Sequence, residues 1–187
     1  MLRDLKLENR IKIFHYCLMG NHMHAVFSPE ENNTLSKFMK QVNLTYFHYY
    51  KSKYGHFGHL WQDRFKSNVI EMESYLIQCG KYIELNPVRA GMVVHPGLYA
   101  FSSYNFYASG KKDSLITPSP MYLGLSELES LRQQHYIDFV IDSDIINSNE
   151  LDKKVYIGSK GFAAKLQEQY KIGNNRPKSG RPPKQNN

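Results

Sequence analysis

Apolar and polar positions are most strongly patterned near the start of the chain. Ile11-Lys12-Ile13-Phe14-His15-Tyr16-Cys17 is rich in β-branched and aromatic residues, and Ala25-Val26-Phe27 forms a second short apolar run. Gly20 and Asn21 lie between the two runs, so residues 11–28 read as strand, tight turn, strand. Pro29 and a polar turn over residues 30–33 close the hairpin. Thr34 can cap a helix reaching about residue 50, because Leu35, Phe38, Met39, Val42, Tyr46 and Phe47 fall near a helical stripe. Residues 65–70 alternate and predict another strand. Residues 71–85 predict a helix, ended at Asn86-Pro87 because proline drives its predecessor out of the α region. Tyr75, Gln78 and Tyr82 share one face of that helix, and Asn86 stands one turn beyond Tyr82.

Further along, Pro96-Gly97 opens an aromatic stretch over residues 98–104 that should wrap the core. Leu128, Leu131, Tyr136 and Phe139 mark a helix over residues 127–140, and a shorter one is expected near 161–170. Residues 174–187 contain no apolar side chain other than proline and should be disordered. The chain thus divides into a principal domain over residues 1–110, a mainly helical extension over 111–173 and a basic tail over 174–187. Residues 1–9 place Leu2, Leu5 and Leu7 among charges and read as the end of a helix whose beginning is absent.

Composition narrows the class. Of 187 residues, 41% are hydrophobic and 22% charged, as in a soluble globular protein. No apolar run nears the roughly 20 residues of a membrane span, and MLRDLKLENR is too charged for a signal peptide. Cys17 and Cys79 sit in apolar-patterned segments and read as buried thiols of a reducing cytosol, not as a disulfide or a zinc pair. The net charge of +7 is concentrated: residues 153–187 hold nine Lys/Arg and one Glu, and residues 113–152 hold eight acidic residues and one Arg. The tail cations, Arg176, Lys178, Arg181 and Lys184 among them, suit either a nucleic-acid-binding arm or a solvated segment without a partner.

The candidate chemistry begins at His22 and His24. Residues two apart in a strand face the same side, so both imidazoles would project together, with Met23 opposite. Two such imidazoles are half of a divalent-metal site, or simply two half-exposed histidines. Residues 53–64 interleave glycines, aromatics and cations. His59, Trp61 and Arg64, with Lys66 just beyond, suit a phosphate backbone and stacked bases, or else an aromatic-anchored structural loop. Lys37 and Lys40 give the preceding helix a basic flank. A metal held by His22, His24 and the Asn86 side-chain oxygen would leave positions for water and a phosphate oxygen. Tyr82 would then attack phosphorus, displace a sugar hydroxyl and conserve the bond energy as phosphotyrosine.

These motifs carry a resemblance. His22-Met23-His24 resembles the His-hydrophobic-His motif of the HUH endonucleases. The run from Tyr82 through Asn86-Pro87-Val88-Arg89 to Val93 is similar to the tyrosine helix of their single-tyrosine transposases. The stretch from Gly58 to Ser67, then Ser102-Ser103-Tyr104 and Gly180-Arg181-Pro182-Pro183-Lys184, resembles the branch associated with repetitive extragenic palindromes. The resemblance implies a Mg²⁺- or Mn²⁺-dependent endonuclease and strand transferase. Its substrate would be single-stranded or hairpin DNA, in the bacterial cytoplasm and nucleoid. Tyr82 matches the nucleophile, His22 and His24 the metal ligands and Asn86 a third ligand, with Arg89 among the DNA contacts.

The fold it implies is α+β, a ferredoxin-like antiparallel sheet with packed helices. Against that pattern a first strand and most of a helix are missing ahead of residue 11. The hairpin edge should therefore be open or covered by another segment, and the strand at 65–70 should lack its central neighbour. Phe101 stands where the family commonly has tryptophan. Two functions follow from these residues. One is an active transposase-type nuclease, as a monomer or a homodimer; the other is a non-catalytic DNA-hairpin binder.

Overall fold

The computed structural model describes residues 1–31, 34–142 and 153–175. The tail cations Arg176, Lys178, Arg181 and Lys184 lie outside the described residues. The expected mixed α+β class is what is found, and it is built around one hairpin. Strands β1 (Ile11–Leu18) and β2 (Met23–Pro29) pair antiparallel, from Ile11 opposite Pro29 to Leu18 opposite Met23. The turn closes through the Met19 amide, which donates to the His22 carbonyl at 2.8 Å.

A bulge divides the core in two. Ile13 faces Phe27 and His15 faces Val26, so Phe14 is an extra residue in β1 and the side-chain alternation inverts there. Ile11 and Ile13 join one apolar cluster, with Phe38, Met39 and Val42 of helix α2 (Thr34–Tyr54). Phe14 and Cys17 join the other, with Val26 and with Leu76, Cys79 and Ile83 of helix α3 (Met72–Glu84). This inversion lets one short hairpin serve as core on both faces. Helix α1 (Leu2–Glu8) packs Leu2 and Leu5 against the first cluster.

The second edge of β1 is covered by the aromatic stretch. Leu18 donates its amide to the Phe101 carbonyl at 2.9 Å, and Ser103 donates to the Tyr16 carbonyl at 3.0 Å. Thr117 donates to the Ile13 carbonyl at 2.8 Å, and the Tyr107 hydroxyl donates to the Phe14 carbonyl at 2.6 Å. A backbone row that would otherwise be left unpaired is thereby satisfied.

The strand expected over residues 65–70 is confined to β3 (Val69–Ile70), because the exposed cationic stretch before it has no apolar face to bury. Its partner is β4 (Tyr156–Ile157), in parallel, so the described strands form two separate two-stranded ladders. Glu71 extends the contact: its Oε2 accepts from the Ser159 amide at 2.6 Å, and its Oε1 accepts from the Ser159 hydroxyl at 3.0 Å. Ile157 enters the second cluster beneath α3.

Four short elements follow α3. They are helix α4 (Asn86–Arg89), a 3₁₀ turn (Pro96–Leu98), helix α5 (Tyr104–Ser109) and helix α6 (Pro120–Leu123). Helix α7 (Glu129–Ile141) then puts Tyr136 and Val140 into the first cluster beside Ile116 and Tyr122, so the extension shares the hairpin's core. Helix α8 (Lys160–Tyr170) comes last.

Both cysteines are free and buried, as their apolar surroundings predict. Burial pushes each thiol up to about 12, helped at Cys17 by the charge of Glu84. At pH 8 only roughly one such thiol in ten thousand is thiolate. Iodoacetamide at pH 8 should therefore label neither cysteine in the folded protein and both in urea; rapid native labelling would contradict this packing.

Candidate active site

The site is assembled where α3 crosses the hairpin, and Gly80 lets the two approach. A Cβ on Gly80 would lie only 2.5–2.7 Å from three atoms of the His15 ring. Any larger residue would push α3 away from β1. With the helix this close, Tyr82 reaches His24. Their ring centroids are 6.1 Å apart and nearly perpendicular, and the His22 ring stands 4.9 Å from that of His24, also edge to face.

The two histidines reach one face by different routes. His24 lies in β2 opposite Cys17, whereas His22 is the last residue of the turn and not of the strand. Asn21 orients it: Asn21 Oδ1 lies 2.7 Å from His22 Nδ1. An amide oxygen can only accept, so Nδ1 carries the proton and Nε2 keeps its lone pair for a ligand. Asn21 read as a turn residue in the sequence. Its adjacency to His22 was the available signal for this second role.

Asn86 begins α4, immediately past the end of α3. Its Nδ2 donates to the carbonyls of Tyr82 and Ile83, both at 3.1 Å. Two acceptors on one side fix the amide orientation, since only the NH₂ can face two carbonyls. Its Oδ1 is thereby turned away from them. Arg89, an expected DNA contact, stacks on the tyrosine: its Cζ is 4.0 Å from the Tyr82 ring centroid, and its Nη2 donates to the Tyr82 carbonyl. Burial lowers the pKa of this guanidinium, while the neighbouring phenol raises it. A cation stacked on the ring favours negative charge on the phenol oxygen.

Residues 1–86 match the family model described as "Transposase IS200 like". This part of the chain is similar to the IS200-like transposases. A search of curated proteins and a search of solved structures each gave no significant match. The matched stretch spans the hairpin, α2, β3 and α3, and it ends at Asn86. Among the described residues, no helix is long and apolar enough to cross a membrane.

The other DNA-contact candidates are exposed side chains on α2 and on the segment after it. Lys37 and Lys40 are exposed on α2. His59, Trp61, Arg64 and Lys66 are exposed in the segment between α2 and β3. That segment folds back on α2, with the Trp61 indole donating to the Asn43 carbonyl at 3.1 Å.

Sequence reading missed the polar core behind the tyrosine. Glu84, fully buried two residues after Tyr82, accepts from the Ser103 hydroxyl at 2.5 Å and from the Tyr136 hydroxyl at 2.6 Å. His15 Nδ1 lies 3.0 Å from its Oε1. Burial first, and the Glu84 charge second, push the Tyr136 phenol far above its ordinary value, so it stays a donor. An acid and a histidine in otherwise apolar patterns were the signals available for this network.

Proposed function

We propose that the chain is a divalent-metal-dependent single-strand DNA endonuclease and strand transferase acting on palindromic hairpins through a 5′-phosphotyrosine. The observation that carries this reading is the packing of the Tyr82 ring against His24, with His22 beside it. The Tyr82 phenol gives up its proton as its oxygen attacks phosphorus, the bond to the 3′-oxygen breaks, and that oxygen takes up a proton to leave a 3′-hydroxyl. The 5′-phosphate stays on tyrosine, and a 3′-hydroxyl from another strand reverses the step. Because one phosphoester replaces another, no outside energy source is needed.

His22, His24 and the Asn86 oxygen are a donor set that fits a divalent ion. Two imidazoles and one amide oxygen suit Mn²⁺ better than Mg²⁺, which prefers oxygen alone. When bound, the ion supplies charge neutralisation at the phosphoryl group. The chain's own residues do the rest. Asn21 holds the His22 tautomer, Gly80 sets the distance from α3 to the hairpin, and Arg89 places positive charge on the phenol.

The test is a labelled single-stranded hairpin incubated with the protein and Mn²⁺, resolved under denaturing conditions. A protein–DNA adduct is expected, lost with EDTA and reduced at least a hundredfold in His24→Ala. Tight hairpin binding with no adduct in any metal would leave a non-catalytic hairpin binder in its place.

A further inference from the structure

Helix α2 extends past the core it packs on. Its first half buries Phe38, Met39 and Val42, but Tyr46 is 36% exposed, Tyr49 50% and Tyr54 58%, and Trp61, returning over the helix, is 40% exposed. Large rings scattered singly on a surface need no explanation, but these are contiguous. Ring centroids are 5.7 Å apart for Tyr46 and Trp61, 6.1 Å for Tyr46 and Tyr50, and 4.6 Å for Tyr50 and Tyr54. Gly55, at φ +64°, ends the helix and donates its amide to the Lys51 carbonyl at 2.9 Å, which turns the loop back onto the row.

Cations are set into the same surface. The Lys53 ammonium lies 5.4 Å from the Tyr49 ring centroid and 5.2 Å from that of Tyr54, and it donates to the Tyr49 hydroxyl at 2.9 Å. Residues 34–70 hold six Lys/Arg and one Asp. A purely apolar partner would leave these charges unmatched. A flexible polyanion whose units expose π-faces matches both features, and duplex DNA hides those faces.

We propose that Tyr46, Tyr49, Tyr50, Tyr54 and Trp61, with Lys53, form a base-stacking platform for the unpaired nucleotides of single-stranded DNA. The proposal rests on the strand-transferase reading and adds where the unpaired strand lies. From Tyr46 to Tyr54 the helix advances about 12 Å. That length gives room for a short run of unpaired nucleotides.

Trp61 is the one tryptophan in the chain and reports on the platform directly. Its fluorescence would be followed while oligo-dT, or a duplex of equal length, is added without divalent metal so that no adduct forms. Quenching by the single strand and not by the duplex is expected. The double variant Tyr49→Leu/Tyr54→Leu should bind oligo-dT at least tenfold more weakly with an unchanged salt slope, since stacking carries no charge. Lys53→Met should reduce that slope by about 0.7. Because all three side chains are exposed, thermal unfolding should stay at the wild-type value.

Wild-type binding of oligo-dT that the double variant retains in full overturns the platform and leaves the strand-transferase reading intact. Failure of the wild type to bind any single strand overturns both. A double variant that loses a dimer in solution mass, with oligo-dT affinity unchanged, makes the row a contact between copies and overturns the proposal.

Discussion

Tyr82→Phe should abolish the covalent DNA adduct while hairpin affinity changes by less than about twofold. The substitution removes one oxygen and keeps the ring, so its packing beside His24 and under Arg89 persists. Without that oxygen no phosphoester to the protein can form at this position. The expected loss is the full activity, below one part in a thousand of wild type, measured by denaturing electrophoresis with a 5′-labelled strand. Tyr75 is the informative control, since it lies on the same helix and packs into the same apolar cluster as Tyr82. Adduct formation that survives Tyr82→Phe and disappears in Tyr75→Phe would move the nucleophile by two turns. Cleavage without any adduct in Tyr82→Phe would point to water.

The hairpin and the tyrosine helix were legible because each depends on local pattern. β-Branched and aromatic residues flank a Gly-Asn turn, and a helical stripe runs into Asn-Pro. The proximity of His22, His24 and Tyr82 followed from side-chain periodicity plus the resemblance; periodicity alone does not bring residue 82 to residue 24. What was not legible is non-local. Nothing near Val69 announces that Tyr156 and Ile157 will pair with β3, because two-residue strands carry no periodicity and the partner is far away in sequence. The bulge at Phe14 was hidden for a related reason: Ile13, Phe14 and His15 are all buried, and an unbroken run fits a strand with or without an inserted residue. Spacing puts Tyr46 on the apolar stripe of α2, but the buried part of that helix ends at Val42 and Tyr46 is exposed.

Glu84→Ala should destabilise the fold by about 3–5 kcal/mol, as removal of one member of a buried charged network does. An ionised carboxylate only accepts, and Glu84 is surrounded by donors: the Ser103 and Tyr136 hydroxyls and the Nδ1 of His15. Alanine strands the Tyr136 hydroxyl and the His15 Nδ1 in a site that excludes water, while the Ser103 hydroxyl falls back on the Tyr16 carbonyl. Against a typical total of about 5–15 kcal/mol, the loss could leave the protein largely unfolded at 37 °C. Glu84→Gln keeps the shape but turns one acceptor into a donor facing other donors, so about 1–3 kcal/mol is expected. Tyr136→Phe removes one donor to a charged acceptor and creates no cavity, and should cost about 1.5–3 kcal/mol, less than Glu84→Ala. Urea unfolding of the three variants checks the order. Glu84→Gln as stable as wild type would show that the carboxylate is not the shared acceptor. The network joins β1, α3, the residue 103 segment and α7 just behind Tyr82. On the proposed reading, its loss should therefore lower adduct formation even where the variant remains folded, because the helix bearing Tyr82 is no longer held in place on the hairpin.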